Sequence, residues 1–143
     1  MNKRIFIEVK SQFCGSHFWG SCPFKEVFFL RFPHRHIFHI TMVVEVNHSD
    51  RALEFFMVKQ DIDKIVKRLY FREGQDIASL QEKSCEIIGD EIYNELRKEN
   101  PAYCGIRSIK IDEDGENAGI IEFDPSDMPG IDPRNTAIGD KCE

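Results

Sequence analysis

Apolar and polar positions alternate along two stretches near the start of the chain. Over residues 3–17, Ile5, Ile7 and Val9 fall on one side and Phe6, Glu8 and Lys10 on the other. Over residues 34–46, His34, His36, Phe38, Ile40, Met42, Val44 and Val46 share one face, and Arg35, Ile37, His39, Thr41, Val43 and Glu45 the other. A period of two is that of a β-strand. The intervening stretch holds Gly20, Cys22-Pro23 and Pro33 and reads as a connection, with room for a short strand at Val27–Leu30. Asn47-His48-Ser49-Asp50 is a turn signal.

The period then changes. Ile62, Ile65, Val66 and Leu69 have helical spacing, which predicts a helix over 61–71 with Asp61 as its N-cap. Ile88, Ile92 and Leu96 predict a second helix over 84–98, capped by Ser84 and ended by Asn100-Pro101. Two further strands are expected over 105–113 and 118–123, joined by the turn-rich Asp114-Gly115-Glu116-Asn117. The order ββααββ predicts an α+β fold, an antiparallel sheet with helices on one face.

Composition narrows the class. A chain of 143 residues, 41% hydrophobic, has the size of one ordinary domain with a core of its own. Asp124, Asp127, Asp132, Asp140 and Glu143 face only Arg134 and Lys141 near the end, so we expect a domain over 1–123 and an acidic, Pro/Asp-rich, mobile tail over 124–143. A net charge of −6 argues against nucleic acid as the main partner. No apolar run approaches the ~20 residues of a membrane span, and the basic N-terminus alternates rather than forming a signal peptide. Five cysteines with no Cys-x-x-Cys fit a reduced cytoplasm better than a disulfide framework.

The chemistry centres on three histidines: His17, in Phe13-Cys14-Gly15-Ser16-His17, and the pair in His34-Arg35-His36. On a strand, residues two apart point the same way, so His34 and His36 present two imidazoles together. A third from a neighbouring strand gives a three-nitrogen set that suits Zn²⁺ with one position open for water or substrate. Taken alone, these residues read more readily as a partly buried strand pair that binds nothing, with His17 an unrelated polar residue.

These motifs and their order, over roughly residues 3–123, resemble the 6-pyruvoyltetrahydropterin synthase / 6-carboxytetrahydropterin synthase family of the tunnelling fold (T-fold). Phe13-Cys14-Gly15-Ser16-His17 is similar to that family's Phe-x-Ala-Ala-His, and His34-Arg35-His36 to its His-Gly-His. Asp61-Ile62-Asp63-Lys64-Ile65 is similar to its Asp-Phe-x-x-Leu, Lys83-Ser84-Cys85-Glu86 to its Pro-Thr-x-Glu, and Ile109-Lys110-Ile111-Asp112-Glu113-Asp114 to its Val-x-Val-x-Glu-Thr. The resemblance implies a four-stranded T-fold sheet with two helices on one face, closed between subunits into a barrel as a trimer or hexamer. It implies Zn²⁺ on His17, His34 and His36, and a pterin or purine-like substrate held by Glu113 with Ser84 and Glu86. It also implies a lyase that acts on dihydroneopterin triphosphate or a related pterin and feeds tetrahydropterin or 7-deazaguanine (queuosine) synthesis. Glu113 shares strand parity with Ile109 and Ile111, which should be buried; a solvated acid beside Asp112 and Asp114 is the alternative.

The departures from the family are specific. Leu30 stands where the family has a catalytic Cys or Glu, and Ile77 replaces the His of its Asp-His-x-x-Leu, leaving Asp76-Ile77-Ala78-Ser79-Leu80. Isoleucine moves no proton. Cys22 and Glu26 are the upstream candidates for nucleophile or base, although a loop role for Cys22 and a surface role for Glu26 are the stronger readings, and Asp76 is a candidate supporting group or equally a loop aspartate. These losses leave open a protein that binds its ligand without turnover. The basic run Lys64, Lys67, Arg68 and Arg72 reads as a solvated helix face.

Overall fold

A computed structural model describes residues 3–124; the expected acidic tail, from residue 125 on, lies outside the described residues. Five strands and two α-helices follow in the order β1 (Ile5–His17), β2 (His34–Val46), α1 (Phe55–Tyr70), β3 (Ala78–Gln81), α2 (Cys85–Glu99), β4 (Ile106–Glu113) and β5 (Asn117–Glu122). The fold is α+β, as expected. The sheet has five strands rather than four, in the order β3-β1-β2-β4-β5. The additional strand is β3, four residues long, which lies parallel to β1 at the sheet edge. So short a segment carries too few alternations to register as a strand in the sequence.

The two alternating stretches form the centre of the sheet. β1 and β2 pair antiparallel along their whole length, from Ile5 opposite Val46 to His17 opposite His34. β4 joins the other side of β2, with Phe38 opposite Glu113, and β5 pairs antiparallel with β4. The inward face of β2 is buried from Phe38 to Val46. It packs with Val58, Ile62, Ile65 and Val66 of α1 and Ile88, Ile92 and Leu96 of α2 into one core. Both helices therefore cover the same face of the sheet.

α2 starts as expected, with the Ser84 hydroxyl accepting from the Ile87 N–H at 3.2 Å. α1 begins six residues earlier than the spacing predicted. Its cap is Glu54, whose carboxylate accepts from the Met57 N–H at 2.8 Å. Asp61 lies inside the helix and takes a hydrogen bond from the Tyr103 hydroxyl at 2.5 Å. The opening residues Phe55, Phe56 and Met57 are exposed, so the amphipathic stripe is masked there. The connection after β1 forms an irregular 3₁₀ segment, Lys25–Arg31, instead of a strand. Backbone bonds from Trp19 N–H to Leu30 O (2.6 Å) and from Cys22 N–H to Trp19 O (3.1 Å) fold it onto itself. The Arg31 guanidinium closes it on Cys22 O at 2.8 Å.

Candidate metal centre and its cavity

The register of three strands builds the site. His17 ends β1 opposite His34, the first residue of β2, and His36 stands two positions further along β2, opposite Gly15. Their ring centroids lie 4.6 Å (His17–His34), 5.3 Å (His17–His36) and 5.1 Å (His34–His36) apart. One ligand nitrogen from each ring lies within 4.8 Å of the others. The Phe38 ring meets both His17 and His36 edge-on, at 5.3 and 5.7 Å, and forms an apolar floor under them.

Every Nδ1 is already engaged. His17 Nδ1 bonds Lys83 O at 2.9 Å, His34 Nδ1 bonds Phe32 O at 2.8 Å and His36 Nδ1 bonds Asp114 Oδ2 at 2.7 Å. Each partner is an acceptor, so each Nδ1 carries a proton, and in the neutral ring the lone pair is then on Nε2. This donor set fits a metal: outer-shell acceptors that fix tautomer and ring orientation are the regular accompaniment of metal-bound histidine. Burial lowers the pKa of His17 further, against the opposing pull of Lys83 O and Glu113, which favours the neutral ligand form.

Glu113 lies beside this group in the same subunit. Its Oε1 is 3.4 Å from His17 Nε2, its Oε2 is 3.4 Å from His36 Nε2, and Ile109 and Ile111 on its strand face are buried, as parity predicted. A cavity of about 530 Å³ opens here. One wall comes from His17, Phe18, Trp19, Leu30 and His34. The other comes from Glu82 to Ile87 around the start of α2, and from Asn117 to Gly119 in β5, with Glu113 between. The size matches pockets that take small organic ligands.

The structure thus brings together His17, His34, His36, Glu113, Ser84 and Glu86. It does not bring Cys22, Glu26 or Asp76 to this cavity. Cys22 is fully buried, with its thiol toward Phe24 O and Val27 O (3.9 Å each). Glu26 is exposed on the 3₁₀ segment, and Asp76 lines a separate depression with Asp63 and Lys67. Two features were not singled out in the sequence. The Cys85 thiol reaches Glu113 Oε1 at 3.6 Å, and burial, then the Glu113 charge, push its pKa up to about 12. Asp114 accepts from both His36 Nδ1 and, at 2.8 Å, the Ile37 N–H.

The chain matches no known protein-family profile and no curated protein sequence. It is similar in structure to the 6-pyruvoyl tetrahydropterin synthase of Caenorhabditis elegans, at 12% identity over 85% of this chain and 97% of that one, with a TM-score of 0.61. The Plasmodium falciparum 6-pyruvoyl tetrahydropterin synthase gives 18% identity over 84% and 98%, with a TM-score of 0.61. An uncharacterized protein from Wolinella succinogenes gives 14% identity over 86% and 100%, with a TM-score of 0.63. The chain therefore has the α+β fold of the 6-pyruvoyl tetrahydropterin synthases, and at these identities the likeness is one of fold.

Proposed function

We propose that this protein is a zinc-dependent lyase acting on a reduced pterin, dihydroneopterin triphosphate or a close relative, in the manner of 6-pyruvoyl- and 6-carboxytetrahydropterin synthases. The observation that carries the reading is the convergence of three Nδ1-braced histidines with Glu113 at the edge of one cavity. His17, His34 and His36 would hold the ion through Nε2. When bound, Zn²⁺ supplies Lewis acidity toward a substrate hydroxyl.

The chain's own residues do the rest. Glu113 accepts paired N–H bonds from the pterin edge, a bidentate match that selects for an adjacent N–H and NH₂. Its carboxylate already takes the Cys85 thiol on the cavity side. Ser84 and Glu86, on the wall formed by α2, orient the ring. Glu82 and Glu86 are the other carboxylates on the cavity wall and would be the candidates for moving a proton. Asp76 would serve only if a second copy of the chain carried it in, and Cys22 and Glu26 only if the 18–33 connection refolded. Assembly into a trimer or hexamer is supported by the open sheet edges at β3 and β5 and by exposed Phe6, Ile37 and Ile120.

Leu30, an apolar residue on the cavity wall near His34, favours a second reading: ligand binding without turnover. Incubating the zinc-loaded protein with dihydroneopterin triphosphate and resolving pterin products by chromatography separates the two. Turnover that falls about 100-fold or more in Glu113→Gln is the expected result. Binding without product transfers the case to the second reading, and neither binding nor product refutes both.

A further inference from the structure

We infer that Asp114 is the positioning residue of the metal site: its carboxylate sets the His36 ring with Nε2 toward the ion and thereby sets the affinity for metal. The inference rests on the metal reading above. Of the three Nδ1 acceptors, two are neutral backbone carbonyls, Lys83 O and Phe32 O, and Asp114 alone is charged. A carboxylate holds an imidazole N–H more strongly than a carbonyl does and makes the opposite nitrogen a better donor.

The carboxylate is itself fixed. Oδ2 takes His36 Nδ1–H at 2.7 Å, and Oδ1 takes the Ile37 N–H at 2.8 Å. The Asp114 N–H donates back to Ile37 O at 2.8 Å, so backbone and side chain both grip the end of β2. Its φ of 58° lies in the left-handed region, which Asp and Asn enter more readily than most residues. The charge count agrees: three neutral imidazoles around a divalent cation leave two positive charges, and Glu113 and Asp114 are the two carboxylates against the ring nitrogens.

Asp114→Asn keeps the size and tolerates the backbone angle. Its amide oxygen can keep the Ile37 N–H, but its NH₂ then meets His36 Nδ1, so the neutral ring must take the other tautomer and place its proton on Nε2, where the ion would bind. Asp114→Gly removes the carboxylate and relaxes the backbone at φ 58°. The metal-free full-length proteins are titrated with Zn²⁺ against a chromophoric chelator and with Co²⁺ for its visible absorption, with thermal melts alongside. Wild type should take up about one Zn²⁺ per chain, and both variants should lose about 10–100-fold in affinity with an altered Co²⁺ spectrum. Metal-free melting should stay unchanged in Asp114→Asn. Affinity within about twofold of wild type in both variants overturns the inference and leaves the metal site standing. Weakened binding matched by a lower metal-free melting point in both variants also overturns it, because the role is then structural. A wild type that binds no Zn²⁺, or a His36→Ala variant that binds as tightly as wild type, overturns the metal reading and the inference together.

Discussion

A single methyl group at Gly15 tests how closely the histidine end of the sheet is packed. Gly15 pairs with His36 on one side and Ala78 on the other. A Cβ there would lie 2.8 Å from Leu80 Cδ1 and 3.1 Å from two ring carbons of Phe38. Carbon atoms rest at about 3.5–4.0 Å, so Leu80 and Phe38 must both give way, and both are fully buried. Overpacking of this kind costs about 1–3 kcal/mol. Replacing Gly in a strand returns about 0.5–1 kcal/mol. The net expectation for Gly15→Ala is a loss of about 0–2.5 kcal/mol, centred above about 1 kcal/mol, or a fall in Tm of up to about 10 °C for a domain of this size. Because Phe38 lies under the His17 and His36 rings, the displacement reaches the ligands, and zinc affinity should fall with stability. Circular-dichroism melts with and without metal measure both. A Tm above wild type refutes the reasoning, since it requires room between β1, Phe38 and Leu80 that the packing denies.

Two further outcomes follow from the local chemistry. Ser84→Ala removes the cap on the Ile87 N–H and should cost about 1 kcal/mol in urea unfolding; no change would mean that water replaces the hydroxyl without loss. Glu45 accepts from Arg4 Nη2 at 2.7 Å and Arg107 Nε at 2.8 Å, and these bonds, the Arg4 bond foremost, hold its carboxyl below the ordinary value of 4.5. The unfolded chain then binds the proton more readily than the folded one, so this stability is present above 4.5 and is lost as pH falls through the lower folded value. Acid unfolding followed by fluorescence should be flatter in Glu45→Gln, and an unaltered profile would remove Glu45 from the account.

The parts legible in the sequence were those with many repeats of one signal. β1 and β2 each carry thirteen residues of alternation, and β2 falls on the predicted 34–46. Ser84 marked the start of α2, and parity placed Glu113 on the buried face of β4. Where few residues carried the signal, propensity misled. Val27-Phe28-Phe29-Leu30 has strand-like composition, yet Pro23 and Pro33 bracket it and backbone bonds curl it into a 3₁₀ segment. Glu54 is an unusual cap, and the exposed aromatics after it hid the first turn of α1. The Asp114 brace depends on β2–β4 register across 78 positions, which no local pattern encodes. Cys85 joins the cavity for a similar reason, through the docking of α2 against β4 and β5.

The hydrogen bond from His17 to the Lys83 carbonyl has a wider consequence. Lys83 directly precedes the residue that caps α2, so the ring and the leading turn of that helix share one anchor. An ion seated on His17 would stiffen the helix entrance, and by reciprocity a molecule wedged against that entrance would tighten or loosen the ion by the same factor. Metal and organic ligand would thus become thermodynamic partners through a single backbone oxygen, even where they never touch.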